Sequence, residues 1–432
     1  MDVNARRTRI KQMAALAGYG AATLVGAGAT PALAAQTELE MLYAFPDLFR
    51  AAMQSVAKRF MAANPDVRIV FRAPAPQYEQ VLQTVLRDAV AGTQPDIVEQ
   101  GLNGIRAVSD QGVAVALDPF IAAQKDFASR GLNPEMLAAG QVKGRTYALP
   151  FAISLPVLYY NAELVKRAGG DPAHLPTTWD GVIDLAKRIN ALGGGTNGLF
   201  YAWDETGNWM WQALVFSRGG TMLDAAERKV AFDGAAGQWA IAQLARFVRE
   251  ARMPYLTHLA AREQFAAGTI GIFATSSAQL GAIQKIVAGR FALSVGVYPD
   301  LKPGVSRLPS GGNGLMVTAK DPARQRAAWR FVEFATRPEQ AAEVARLTGY
   351  FPPDEKAGAL LADFYRANPN FAVAVREQSF ASAWYAFPGP NGLKIIDVIK
   401  DQLESVVSGR RAGDPGQVLA SMAAQVQRLL PQ

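Results

Sequence analysis

The sequence predicts an α/β protein built as two domains, each a mostly parallel sheet flanked by helices. Three observations carry this. The chain has 432 residues, more than one ordinary hydrophobic core accommodates. Its first part alternates strand and helix signals in a β-α-β-α-β rhythm, the pattern of a parallel sheet covered on both faces. Beyond an apolar stretch punctuated by prolines, 149–161, an α/β pattern starts again. Half the residues are hydrophobic and 9% are aromatic, which marks a globular rather than a disordered chain.

The elements follow in order. Residues 39–45 read as a strand. Asp47 stands where an N-cap would, ahead of a helix whose Phe49, Met53, Val56 and Phe60 recur at helical spacing. Asn64-Pro65 ends it, and 67–71 is the next strand. Tyr78 to Ala91 is a second amphipathic helix closed by Gly92, and Pro95 opens a third strand. At 141–150 a short hairpin turns at Lys143-Gly144. The stretch 149–161 is apolar and extended, yet Pro150 and Pro156 each lack the donor that a central strand needs. It is far shorter than the roughly 20 residues of a membrane-spanning helix. Helices at 162–168 and from Thr178-Trp179-Asp180 to about 191 come next. Tyr201, Trp203, Trp209 and Trp211 then lie close together with Asp204, Glu205 and Asn208, a composition that reads as a loop. A helix at 235–251, a strand at 270–274, a helix opened by Ser276-Ser277 and a strand at 294–298 follow. Ser310 to Gly314 reads as a glycine-rich turn into a strand at 315–318. Helices at 323–336, 338–347, 395–407 and 415–430 complete the chain.

Residues 1–34 read as an export signal. Arg6, Arg7, Arg9 and Lys11 form a basic head, 13–25 a weakly apolar body, and Ala32-Leu33-Ala34 a small-x-small cleavage site. The mature chain is therefore expected to begin at Ala35 or Gln36. Arg6-Arg7-Thr8-Arg9-Ile10-Lys11 resembles the twin-arginine signal, with Arg9 where an aromatic or leucine is usual, so general secretion stays open. Without residues 1–34, 40 basic side chains face 36 acidic ones. That mild excess includes no basic run of the kind that binds nucleic acid. The absence of cysteine removes disulfides, thiolate metal sites, cysteine nucleophiles and a lipid anchor on an N-terminal cysteine. No later stretch approaches 18 apolar residues, so an exported, periplasmic and soluble mature chain is expected.

Catalytic signatures are sparse. His174 and His258 lie far apart without helical spacing, which argues against a histidine metal centre. Neither a GxSxG elbow nor a GxxxxGK[ST] phosphate loop occurs. The aromatic residues at 201–211, Trp209 and Trp211 foremost, are either core or a platform for the apolar faces of a sugar or polyol. Gly311-Gly312 is either an anion-binding nest or a tight turn. Ser276-Ser277 either caps a helix or faces a ligand.

Larger motifs carry a resemblance. Gly144-x-x-Tyr147-Ala148-Leu149-Pro150 is followed by Leu158-Tyr159-Tyr160-Asn161. Phe265-Ala266-Ala267-Gly268 precedes an apolar strand. Pro338-Glu339-Gln340-Ala341-Ala342 precedes Thr348-Gly349-Tyr350-x-Pro352. Together these resemble the signature of family 1 extracellular solute-binding proteins of ABC importers. Pro156-Val157-Leu158-Tyr159-Tyr160-Asn161, Ala168-Gly169 with Asp171-Pro172, Thr178-Trp179 and Leu403-Glu404-Ser405-Val406 are similar to the periplasmic glycerol-3-phosphate-binding proteins of the Ugp system. The resemblance implies a type II periplasmic binding protein fold with hinge strands at 149–156, 272–276 and 348–353. It implies an N-terminal lobe of 35–152 plus 275–349, a C-terminal lobe of 153–274 plus 350–432, and a ligand cleft between them. Hinge strands outside mid-sheet would explain Pro150 and Pro156.

By the same resemblance Tyr78 matches the family's ligand tyrosine. Ser154, Ser276, Gly312 and Tyr350 match its polar contacts, and Trp209 its cleft tryptophan. Leu102 and Ile396 depart, standing where the glycerol-phosphate binders carry a glutamate and an arginine, and Tyr43-Ala44 replaces a Trp-His pair. Tyr43, Leu102, Asn103, Trp211, Gly311 and Lys394 are secondary candidates. The expected protein is a non-enzymatic monomer, without cofactor or metal, that closes like a clamshell on a small solute and delivers it to a membrane permease. The expected solute is a glycerophosphodiester or a glycerol-3-phosphate-like compound, its phosphate held by Ser154, Ser276 and the Gly311-Gly312 amides. A neutral sugar is the alternative solute, and a secreted two-carboxylate glycan-processing enzyme the competing class.

Overall fold

A computed structural model describes residues 36–431, so the reading of 1–34 as an export signal lies outside the described residues. Two sheets organise the chain. Strands β1 (Thr37–Leu42), β2 (Val67–Phe71), β3 (Ile97–Gly101), β4 (Ala148–Ser154) and β9 (Gly311–Val317) form the first, in the order β2-β1-β3-β9-β4. Strands β5 (Pro156–Asn161), β6 (Asn197–Tyr201), β7 (Ile270–Ser276) and β8 (Leu293–Gly296) form the second, in the order β8-β5-β7-β6. Helices flank both sheets, giving a two-lobed mixed α/β architecture.

The sheets are less parallel than expected. β1 pairs parallel with β2 and β3, and β6 with β7, because these strands are joined by helical crossovers within one lobe. The other pairings are antiparallel: β9 with β3 and β4, and β5 with β7 and β8. β9 enters from the far lobe and runs against its neighbours.

The first crossover units form as their sequences dictate. Helix α1 (Pro46–Ala63) buries Phe49, Met53, Val56 and Phe60 on one face. Its N-cap is Phe45, at φ 49°, rather than Asp47, which sits in the first turn where a carboxylate favours the helix dipole. Helix α2 (Tyr78–Ala91) ends at Gly92 in the left-handed conformation, φ 76°, that glycine adopts without strain.

The prolines of 149–161 sit where the ladder tolerates them. Pro150 lies in the edge strand β4, at a register shift opposite Asn313/Gly314. Pro156 is the first residue of β5, which then runs through mid-sheet between β8 and β7. Only Leu155 separates the two sheets at this point.

Three local readings are corrected. Gly311-Gly312 is no turn but the start of β9, because a Cβ at Gly311 would meet Ser154 Oγ and the Trp209 ring at 2.7–2.9 Å. Trp209 and Trp211 belong to a helix, α3 (Trp209–Phe216), rather than to a loop. Residues 293–296 hydrogen-bond to β5 in the second sheet, inside the 275–349 stretch expected in the first lobe.

Candidate functional site

The chain passes between the sheets at several places, and three of these segments lie side by side. Ile153 and Phe351 exchange backbone hydrogen bonds of 2.8 and 3.1 Å. The Ser277 amide donates to the Leu155 carbonyl at 2.9 Å, and Pro156 faces Ser276 in the β5–β7 ladder. This convergence brings Ser154, Ser276 and Tyr350 to the rim of one small space. Tyr78 reaches it from the first turn of α2, Trp209 from the first turn of α3, and Gly311 and Gly312 from β9. The resulting inner cavity, narrow and partly open to solvent, also has Phe45, Leu48, Glu205, Thr206, Ala278, Gln279 and Trp384 in its wall.

Each wall group is held in place. The Tyr78 and Tyr350 hydroxyls lie 3.2 Å apart, and Asn313 Nδ2 donates to the Tyr78 hydroxyl at 2.9 Å. Phe45 packs edge-on against Tyr78 at 4.9 Å between ring centres, and Phe49 stacks on Tyr350 at 5.1 Å. Trp209 donates Nε1–H to the Pro309 carbonyl at 2.9 Å and leans on Trp384, ring centres 6.2 Å apart. Ser276 Oγ accepts from the Ala278 amide at 3.2 Å, so capping occupies one lone pair of a hydroxyl that still lines the cavity. Beneath the tyrosines, Glu99 is fully buried. The Ala44 amide donates to its Oε2 at 2.7 Å, and burial pushes its carboxyl well above the usual range.

The cavity's charge is simple. Among the described residues Glu205 is its one wall carboxyl and no Lys, Arg or His side chain forms part of the wall, with Arg262 directly behind it, donating to Gln279 Oε1 at 3.3 Å. Thr275 donates to Glu205 Oε2 at 2.7 Å, and His258 Nε2 stands 3.7 Å from the same oxygen, behind it. The wall thus offers hydroxyl groups, one carboxylate and aromatic faces.

A larger outer chamber, partly open to solvent, lies between the α2 side of the first lobe and residues 385–396 of the second, and shares Tyr78 with the inner cavity in its lining. The lobes touch around these spaces. Glu79 accepts from the Thr206 hydroxyl and the Gly207 amide. Arg106 makes a two-pronged pair with Glu227 at 2.7 and 2.8 Å, joined by the Tyr385 hydroxyl at 3.0 Å. Arg262 lies 3.8 Å from Asp47. The cleft is closed.

Residues 55–373 match the family described as bacterial extracellular solute-binding protein. The chain belongs to this family. As a member it is the solute-binding component of an ABC importer, working with permease subunits, and it is a binding protein rather than an enzyme. It is 27% identical over 398 residues to the sn-glycerol-3-phosphate-binding periplasmic protein UgpB of Escherichia coli K12, covering 88% of this chain and 89% of that one. Among solved structures, UgpB of Mycobacterium tuberculosis in complex with glycerophosphocholine is 22% identical, with a TM-score of 0.79 over 90% of this chain and 97% of that one. A Thermotoga lettingae solute-binding protein bound to α-D-tagatose has a TM-score of 0.78 at 19% identity over 92% and 100%. The Listeria monocytogenes substrate-binding protein Lmo0181 in complex with cycloalternan reaches 0.79 at 19% over 91% and 98%. These structures share the type II fold of this solute-binding protein.

The six primary candidates, Tyr78, Ser154, Trp209, Ser276, Gly312 and Tyr350, all line the inner cavity, as does Gly311. Five secondary candidates do not. Tyr43 packs against Phe71 in the core under the first sheet. Trp211 is buried against Phe232, on the side of α3 away from the cavity. Lys394 is exposed on the helix Gly392–Val407. Asn103 lines the outer chamber and Leu102 a separate space beside it; Ile396, noted as a departure rather than a candidate, also lines the outer chamber. Sequence reasoning passed over Trp384, Phe45, Gln279 and Thr206, and saw Glu205 only as loop composition. For Trp384 a signal existed: Trp384-Tyr385-Ala386-Phe387-Pro388-Gly389 repeats the aromatic density that flagged 201–211.

Proposed function

We propose that this solute-binding protein captures a glycerophosphodiester, seating the glyceryl end in the inner cavity, and delivers it to its permease. One observation carries the reading: the cavity wall combines aromatic faces and hydroxyls with a single carboxylate, Glu205, and no cation. A dianionic terminal phosphate beside that carboxylate is repelled. Free hydroxyls instead donate to Glu205 while their C–H faces pack on Trp209 and Trp384. The phosphate of a diester then lies outward, away from Ser154, Ser276 and the Gly311-Gly312 amides that the sequence had suggested for it. The names of the relatives support a glyceryl phosphate as the shared chemistry. A neutral sugar is the second reading, favoured by the same cation-free aromatic wall.

Closure follows from bending where the chain passes between the sheets, at Leu155, after Ser276 and at 348–353, with the two sheets as rigid lobes; most of the expected hinges at 149–156 and 272–276 lies in β4 and β7 themselves. Ligand bridging the lobes populates the closed state in proportion to its differential affinity. Titration calorimetry with glycerophosphocholine, glycerol 3-phosphate and maltose tests the assignment. Glycerophosphocholine is expected to bind at micromolar strength, roughly −8 kcal/mol, and glycerol 3-phosphate at least about tenfold more weakly. Tighter binding of glycerol 3-phosphate than of the diester overturns the assignment, and binding of maltose alone moves the protein to the sugar reading.

A further inference from the structure

We propose that His258, which does not itself line the inner cavity, is a positioning residue that sets how strongly Glu205 holds a solute hydroxyl, and that solute binding is thereby linked to a proton on its imidazole. The inference rests on the glyceryl end meeting Glu205.

Three side chains form a chain behind the cavity wall. Thr275 is fully buried, and its hydroxyl touches both Glu205 Oε2, at 2.7 Å, and His258 Nε2, at 3.3 Å. A hydroxyl has one proton and gives it to the carboxylate, the nearer and charged acceptor. Toward His258 the same oxygen only accepts, so Nε2 carries the hydrogen of the neutral ring. A further proton is then taken at Nδ1 and leaves the chain of hydrogen bonds intact. The ring is open to solvent: its side chain is 16% exposed, against 7% for that of Glu205. It is also held in place. It stacks on Phe273 with ring centres 5.6 Å apart, and its backbone amide, at the first residue of the helix His258–Ala266, donates to the Asp204 carboxylate at 3.0 Å. An imidazolium formed there stands 3.7 Å from Glu205 Oε2, and its charge competes with a solute hydroxyl for that carboxylate.

The other charges about the ring come from each neighbouring element. The segment before α3 brings Asp204 and Glu205, and β7 brings only Phe273 and Thr275. Arg262, one turn along the same helix, is directed to Gln279 and Asp47. Lys285 is exposed in the last turn of the adjacent helix Leu280–Val287, and Tyr255 donates to Glu404. Carboxylate, guanidinium and ammonium groups ordinarily keep their charge between about pH 5.5 and pH 8, so the imidazole is the member of this set that switches.

The test uses glycerophosphocholine, whose diester and quaternary ammonium keep one charge state over that range. Calorimetry on the native protein is expected to show Kd rising about fivefold from about pH 8 to about pH 5.5, the difference between a charged acceptor and a neutralised one. Binding at about pH 6 is expected to release protons, read from the dependence of the heat on the buffer's own ionisation enthalpy. In His258→Gln, whose amide can still donate to Thr275, both effects are expected to be lost, with thermal unfolding checking that the variant is folded. A native Kd that is the same at both pH values overturns the inference and leaves the glycerophosphodiester reading intact. A pH trend that persists in His258→Gln overturns the assignment to His258. If glycerophosphocholine fails to bind at either pH, the glycerophosphodiester reading falls, and the coupling of His258 to Glu205 is decided in the solute-free protein. The chain has two histidines, so imidazole NMR resolves the His258 ring. It is expected to take up its proton at lower pH in Glu205→Gln than in the native protein, and identical titration curves overturn the coupling.

Discussion

Replacing Glu227 by Gln removes the charge from the clasp that holds the lobes together beside the cleft. Arg106 stands on the helix Ile105–Asp110, one short turn (Leu102–Gly104) after β3 of the first sheet. Glu227 stands in the 223–230 turn, which is tied to the helix Pro415–Leu429 by the Val230 amide donating to Gln427 Oε1 at 2.9 Å. The pair is two-pronged, but its side chains are 26% and 35% exposed, so solvent discounts it. A partly exposed charge-assisted pair of this geometry contributes about 1–2 kcal/mol. Since the clasp joins the lobes only when they are closed, its loss acts on the closed-to-open ratio, by about 5- to 30-fold. Calorimetry at low ionic strength should show Kd for the solute rising by that factor in Glu227→Gln. Added salt should narrow the gap, because screening weakens the native clasp and leaves the variant little to lose. Arg106 also holds the Glu227 carboxyl below the usual carboxylate range. A depressed folded value means the contribution is present above the ordinary carboxylate pKa and is lost as pH falls through the lower, folded one. An unchanged Kd at low salt would refute the clasp as a determinant of closure.

Three further outcomes are expected. Glu205→Gln should weaken glycerophosphocholine binding several-fold, by loss of a charged acceptor, while relieving repulsion toward glycerol 3-phosphate; parallel titrations read both, and weakened binding of both solutes sinks the electrostatic argument. Glu377 is buried, donated to by the Tyr298 amide at 3.2 Å, and its carboxyl is pushed up to about 8 by burial. A raised folded value means its contribution is present below the ordinary carboxylate pKa and is lost as pH rises through about 8. Glu377→Gln should therefore flatten the decline of Tm between pH 5 and pH 9, scanned by calorimetry, and an unaltered slope counts against it. Gly312 sits at φ 113°, and a Cβ there would collide with the Ala152 carbonyl. Gly312→Ala should lower the urea midpoint, by more than about 1 kcal/mol in stability; a midpoint equal to the native one would show that β9 relaxes freely.

What the sequence disclosed and what it hid divide along physical lines. Local periodicity and punctuation located α2 to the residue, because its apolar face and the left-handed Gly92 are both local properties. The Lys143-Gly144 hairpin was legible for the same reason, with both residues at positive φ. Pairing was not. A strand pattern such as 294–298 marks a strand but not its neighbour, and β8 joins the second sheet through contacts far away in the chain. The glycines at 311–312 read as a turn because their reason for being glycine, the closeness of Ser154, Trp209 and Ala152, is tertiary. Trp384 escaped for a similar cause: its contacts with Trp209, in the same lobe, and with Tyr78, across the cleft, join residues 175 and 306 positions apart in the chain. Family motifs, in contrast, nominated residues from six separate segments that line one cavity, a grouping that periodicity alone does not supply.

The central claim is the orientation of the solute: glyceryl inward, phosphate outward. A crystal structure of the protein with glycerophosphocholine measures it directly. The account predicts the glycerol carbons between Tyr78 and Trp209 with hydroxyls on Glu205, and the phosphorus peak beyond Tyr78 in the outer chamber. A phosphorus peak against Ser154, Ser276 and the Gly311-Gly312 amides would contradict it.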